Sequence, residues 1–154
     1  MIKPKILIFC DLDGVLCDIY THARKKLQEF PQIKYPQSQY GFFMELPEID
    51  KGVQTVKELQ NDYDEHFDIW FLTAPSTHNP MSYAEKNYWI RMHFGQKWCD
   101  KLIICPDKSL LRGHILIDDN VSGRGQDKFI GELIHFTKDN NWKVIKNYLI
   151  GKLL

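Results

Sequence analysis

The sequence has no charge of either sign to spare: 20 lysines and arginines stand against 20 aspartates and glutamates. That removes the broad electrostatic case for a nucleic-acid or anionic-membrane partner. Long apolar runs are missing too, so no stretch reads as a bilayer span. The first apolar run is too short for a secretory h-region and stops at Asp11, and the expectation is a chain without a signal peptide. Cysteine is sparse, and Cys10, Cys17, Cys99 and Cys105 show no CxxC or zinc-ribbon spacing. Cys10 and Cys105 fall in predicted strands and read as buried thiols. The expectation is a reduced, cytoplasmic protein. The histidines show no metal-ligand spacing; His22, His66, His78 and His93 read as surface or capping residues. Repeats, low-complexity tracts and Ser/Gly linkers are absent. With these classes removed, 154 residues at 44% apolar and 26% charged suit one globular domain with a real core.

What is present is an alternation of apolar runs and helical patterns. Ile6 to Cys10 is continuous rather than alternating, which reads as a buried strand. Tyr20 to Phe30 follows as an amphipathic helix with Ala23, Leu27 and Phe30 on one face, stopped by Pro31. Gln32 to Pro47 has mixed patterning and reads as an irregular segment or a short hairpin. Asp50 then caps a helix carrying Val53, Val56 and Leu59. Further strands are expected at Phe67–Leu72, Leu102–Cys105, His114–Ile117 and Glu132–Phe136, with helices at Ser82–Phe94 and Asn141–Leu149. The expected fold is α/β, a three-layer sandwich on a mainly parallel, five-stranded Rossmann-like sheet. The stretch between Asp18 and Asp50, residues 19–49, interrupts the alternation and reads as a small cap inserted after the first strand of a single domain spanning 1–154.

Four of the strand ends carry polar signatures: Asp11/Asp13, Thr73, Lys108 and Asp118/Asp119. In a parallel sheet all four fall on one edge, the carboxyl edge where open α/β sheets bind ligands. The set contains carboxylates for a divalent cation and a hydroxyl and an ammonium for an anion. An oxygen-only donor set suits Mg²⁺. The bland alternatives are a helix cap at Asp11, a turn at Asp13-Gly14, a plain strand-end hydroxyl at Thr73 and a solvated Lys108. Their joint order after successive strands speaks against all of them, and two adjacent acids after Ile115-Leu116-Ile117 are costly to bury without partners. Lys86 lies on a predicted helix, where a surface ion pair is the commoner fate. Arg112, Arg124 and Lys128 form a loose basic cluster that could attract a phosphate or be a solvated face, and the solvated face is the favoured reading.

These residues resemble the haloacid-dehalogenase superfamily, and within it the 5'(3')-deoxyribonucleotidases. The likeness spans nearly the whole chain. It is carried by Asp11-Leu12-Asp13-Gly14-Val15-Leu16-Cys17-Asp18, Phe42-Phe43-Met44-Glu45-Leu46, Leu72-Thr73-Ala74-Pro75 and Glu85-Lys86-Asn87-Tyr88-Trp89. Asp107-Lys108-Ser109, Leu116-Ile117-Asp118-Asp119 and Arg124-Gly125-Gln126 complete it.

The resemblance implies covalent phosphoryl transfer. Asp11 would be the nucleophile and Asp13 the general acid and base. Thr73, Ala74, Lys108 and Lys86 would face the phosphate. Mg²⁺ would be held by Asp11, the Asp13 carbonyl and Asp119, with Asp118 behind them or acting through water. Phe43 would line the base pocket together with Ile19, which stands where the family has an aromatic. The implied substrate is a nucleoside monophosphate, deoxyribonucleotides first. The alternatives are a 3'-phosphorylated nucleic-acid end or a small sugar phosphate handled by the same chemistry. A non-catalytic binding module is opposed by the presence of both Asp11 and Asp13, and a dehalogenase by Asp13.

Overall fold

The computed structural model describes residues 3–154. Five strands, β1 (Ile6–Cys10), β2 (Phe67–Thr73), β3 (Leu102–Ile104), β4 (Ile115–Asp118) and β5 (Glu132–His135), form one sheet. Its order is β3-β2-β1-β4-β5 and every pairing is parallel. The chain therefore fills one side of β1 first and then crosses to the other. The place where the order reverses lies between β1 and β4. A crevice opens there because successive connections depart in opposite directions.

The α-helices are α1 (Ile19–Glu29), α2 (Gly52–Asp62), α3 (Ser82–Phe94) and α4 (Trp142–Gly151). The α/β class and parallel sheet are as expected, and the two faces of the sheet are unequal. The larger core joins Ile8, Cys10, Phe67, Ile69, Phe71, Ile115 and Ile117 to residues of α2, α3 and α4, including Leu59, Trp89 and Trp142. The smaller one holds Phe9, Leu72, Leu116 and Phe129. Alternate residues of β1 thus feed both cores, which is why its sequence is apolar without a break. Trp89 and Trp142 are both 1% exposed, and each satisfies its indole N–H on a main-chain carbonyl, Leu46 at 2.9 Å and Val15 at 2.8 Å. Large aromatic area is buried here without stranding a polar atom.

Several local expectations are corrected. Asp50 does not cap α2: it adopts φ 46°, and Glu48 Oε1 accepts the Val53 N–H at 2.9 Å instead. α1 is capped by Asp18, whose carboxylate accepts from the Thr21 N–H. Its expected apolar face is largely solvated, with Leu27 and Phe30 41% and 44% exposed. The side chain that α1 buries is His22, tilted against Phe42 with ring centres 5.0 Å apart. His22 is therefore not a surface residue. His93 is half-buried and stacks on Trp89 at 4.0 Å. Cys105 lies beyond β3, is half-buried, and its thiol donates to the Asp107 carbonyl. Residues 32–47 form no hairpin; they hold two short 3-10 turns, Pro36–Ser38 and Phe43–Glu45. The mixed pattern had no single period because no single element is there.

Candidate active site

The site begins with the turn after β1. Cys10 is level with Phe71 of β2 and Ile117 of β4, so Asp11 leaves the sheet between them, its N–H donating to the Ile117 carbonyl at 3.0 Å. The Leu12 carbonyl then accepts from the N–H groups of Val15, Leu16 and Cys17. Leu12, Val15 and Leu16 are buried beneath the turn, and this holds Asp11 and Asp13 above it. Gly14 sits at φ 82°, and a Cβ there would lie 2.0 Å from Asp119 Oδ2. Glycine is required twice over, for the left-handed backbone and for the close approach of β4's acid.

Two buried lysines enter this ring of acids. Lys108, 1% exposed on a 3-10 turn after β3, pairs with Asp11 Oδ1 at 3.0 Å and donates to Asp118 Oδ2. Lys86, 2% exposed on α3, pairs with Asp13 Oδ2 at 2.6 Å and donates to Thr73 Oγ1 at 2.9 Å. Its ammonium also lies 4.7 Å from the Phe43 ring centre. Neither lysine is the solvated residue that its sequence position alone would suggest. Asp118, fully buried, also accepts from Gln126 Nε2 at 3.3 Å and from the Asn120 N–H at 2.9 Å.

Burial pushes the Asp11 carboxyl above the usual carboxylate range; Lys108 opposes that, and Asp118 and Asp13 add to it. Burial likewise raises Asp119, against the hydrogen bond it accepts from Tyr20. For Lys108 burial favours the neutral amine, but Asp11 and Asp118 outweigh it and raise the group. Ligand oxygens of Asp11, Asp118 and Asp119 lie within 4.8 Å of one another, close enough to share a cation. Asp13 Oδ1 is buried without a hydrogen-bond partner. Four carboxylates thus face two ammonium groups, and the donors are all oxygen. The set fits a hard divalent cation.

Above the ring opens a pocket of about 400 Å³. Asp11, Asp13, Thr73, Ala74 and Lys108 form its floor, and Ile19, Tyr20, Gln37 and Phe43 come from residues 19–49. The structure thus gathers the floor and both expected base-side residues into one cavity. It also brings in residues to which the sequence reading gave no site role. Arg124, read as part of a solvated basic face, lines the same pocket. Tyr20 donates to Asp119 Oδ2 at 2.6 Å. Glu85, next to Lys86, accepts from the N–H groups of Gly41 and Phe43 at 2.5 and 3.1 Å. Asn79, fully buried, donates to the carbonyls of Gln37 and Gln39. These last contacts run from side chains to irregular main chain, and no periodicity announces them. The available signal was the cost of burying Glu85 on a helix, which demands partners.

With this geometry in place, the profile described as 5' nucleotidase, deoxy (pyrimidine), cytosolic type C protein matches residues 31–149. The chain belongs to this deoxyribonucleotidase family. The human cytosolic 5'(3')-deoxyribonucleotidase is 25% identical, over 80% of this chain and 75% of its own. The mouse mitochondrial 5'(3')-deoxyribonucleotidase is 25% identical over 88% of this chain and 74% of its own. The 5'(3')-deoxyribonucleotidase of Bacillus subtilis is also 25% identical, over 80% and 68%. Membership makes the protein a phosphoric monoester hydrolase of the nucleotidase type, with a small nucleotide phosphate as its class of substrate. Among the described residues no helix is long and apolar enough to cross a membrane.

Proposed function

We propose that the protein is a Mg²⁺-dependent phosphomonoesterase that hydrolyses deoxynucleoside monophosphates through an aspartyl-phosphate. The observation that carries this reading is the pairing of Asp11 with Lys108 and of Asp13 with Lys86 on the floor of one pocket. Two carboxylates from one turn are thereby held in different surroundings, which is how neighbouring acids acquire different tasks.

In this reading an Asp11 oxygen attacks phosphorus and the ester P–O bond breaks. Asp13 gives its proton to the departing alkoxide. A water then attacks the phosphorus of the acyl phosphate, Asp13 takes a proton from it, and Asp11 is released with inorganic phosphate. Lys86, bonded to both Asp13 and Thr73, fixes the acid beside the hydroxyl that would meet a phosphoryl oxygen. Lys108 and the Ala74 N–H would add donors for the charge that develops on the phosphoryl group. Asp11, Asp119 and the Asp13 carbonyl would hold Mg²⁺, with Asp118 in place behind them as the acceptor for Lys108 and Gln126. When bound, the ion offsets the repulsion between the Asp11 carboxylate and the phosphate dianion.

Residues 19–49 act as a cap in this reading, with Phe43 and Ile19 as walls for the base. The chain re-enters the domain where it left it: Asp18 N donates to the Pro47 carbonyl and Ile49 N to Leu16, each at 2.8 Å. A cavity of about 400 Å³ suits a mononucleotide better than a polymer end. The test is phosphate release by the purified protein over deoxyribonucleotides, ribonucleotides, sugar phosphates and 3'-phosphorylated oligonucleotides, with and without Mg²⁺. Release from deoxynucleoside monophosphates only with Mg²⁺, lost in Asp11→Asn, is the expected result. Preference for an oligonucleotide end would overturn the substrate assignment, and turnover by Asp11→Asn would overturn the mechanism.

A further inference from the structure

We propose that Tyr20 is a positioning residue of the cation site, holding Asp119 in place from the segment that roofs the pocket; this rests on reading the acidic cluster as a Mg²⁺ site. The two acids at the end of β4 are held in different ways. Asp118 is locked by its own surroundings, with Lys108 and Gln126 on one oxygen and the Asn120 N–H on the other. Among the described residues Asp119 accepts two side-chain hydrogen bonds, a short one from the Tyr20 hydroxyl at 2.6 Å on Oδ2 and a longer one from its neighbour Asn120 Nδ2 at 3.3 Å on Oδ1. The backbone of Gly14 also crowds this carboxylate, since a Cβ there would fall 2.0 Å from that same Oδ2. His135 Nε2 meets the Asp119 carbonyl at 3.0 Å and steadies its main chain.

The chemistry of the donor matters. A lysine in this place would bring a positive charge that competes with the cation. A phenol orients the carboxylate while leaving its charge in full. Donors to a ligating carboxylate of this kind typically govern metal affinity by about 10–100-fold. Tyr20 also lies in the first turn of α1, 99 positions from Asp119 in the chain. The bond therefore joins the roof to the floor, and cation binding should steady both.

The experiment is Mg²⁺ titration by calorimetry of the full chain as wild type, Tyr20→Phe and Asp119→Asn, with Tm measured in EDTA alongside. Tyr20→Phe is expected to raise the Mg²⁺ Kd about 10-fold or more, while Asp119→Asn abolishes binding. The Mg²⁺ concentration giving half-maximal phosphate release should rise in parallel, and turnover lost at low Mg²⁺ should return as Mg²⁺ is raised. A lower Tm in EDTA with an unchanged Mg²⁺ Kd would show a merely structural bond and overturn the proposal. So would an unchanged Mg²⁺ Kd with a raised KM for nucleotide, which would give Tyr20 to the substrate. Absence of Mg²⁺ binding by the wild type would instead remove the cation reading itself, and this inference with it.

Discussion

The floor and the roof of the pocket are built on opposite principles. The floor is the carboxyl edge of a parallel sheet, where Asp11, Thr73 and Asp118 stand at the ends of adjacent strands and Lys86 and Lys108 are buried among them. The roof is a helix and two 3-10 turns held by side-chain bonds from Asn79, Glu85 and Trp89 to main-chain atoms. Charges fixed in a buried ring can stabilise a transition state at little reorganisation cost. The roof seats Phe42, Phe43 and Leu46 in the larger core, but it has no strand register, and its shape is set by these side-chain bonds. On the proposed mechanism chemistry belongs to the floor and selection to the roof, and variants should separate the two.

Asp11→Asn tests the floor most severely. It keeps size and packing but removes the proposed nucleophile, and turnover should fall by at least about 10⁴-fold. A circular-dichroism melt close to wild type alongside that loss would show that the fold survives. Lys108→Met comes next. It leaves Asp11 and Asp118 facing each other without their shared cation, and breaking such a buried arrangement costs about 3–5 kcal/mol. Urea unfolding should report that loss, partly recovered by Mg²⁺. A loss below about 1 kcal/mol, the range of an exposed ion pair, would break the picture of a tightly coupled ring.

Glu85→Gln addresses the roof. The change halves the carboxylate that receives the Gly41 and Phe43 N–H groups while leaving neighbouring Lys86 intact. Loss of one such charged hydrogen bond costs about 1–3 kcal/mol. The expected kinetic signature is a raised KM for nucleotide with a smaller change in kcat. The reverse pattern would mean that roof and floor are not separable at this position.

The same division explains what could be read from sequence. That Asp11, Asp13, Thr73, Lys108 and Asp118/Asp119 lie together was legible because each ends or follows an apolar strand, and parallel strands put their ends together. Lys86 was half-legible, since its helix was clear but not the direction in which it points. The contacts that Tyr20, Asn79 and Glu85 make were not legible. Their partners are main-chain atoms of turns without period, or acids far along the chain, and nothing local marks such a pairing. The misread cap at Asp50 has the same origin. Residue type at the helix start favours aspartate, but the chain arrives from the roof at φ 46° and gives the position to Glu48.

The smallest expected effect lies in the pH response of the roof. His22 is buried against Phe42, with its Nε2 lacking a hydrogen bond and 3.8 Å from Glu45. Burial, with Lys26 and Lys25 adding and Glu45 opposing, holds its pKa below the ordinary 6.5. The unfolded roof therefore binds a proton more readily than the packed one. Packing of the roof should be fully stable above pH 6.5 and weaken as pH falls below it, until His22 protonates in the packed state as well. Hydrogen exchange of residues 19–49 should speed up between pH 7.5 and 5.5, after correction for intrinsic rates, and the floor turn at Asp11–Cys17 should lag behind. His22→Gln should flatten that dependence. Equal acceleration of roof and floor in the wild type would mean that the two regions open as one unit, and the contrast drawn between them would fail.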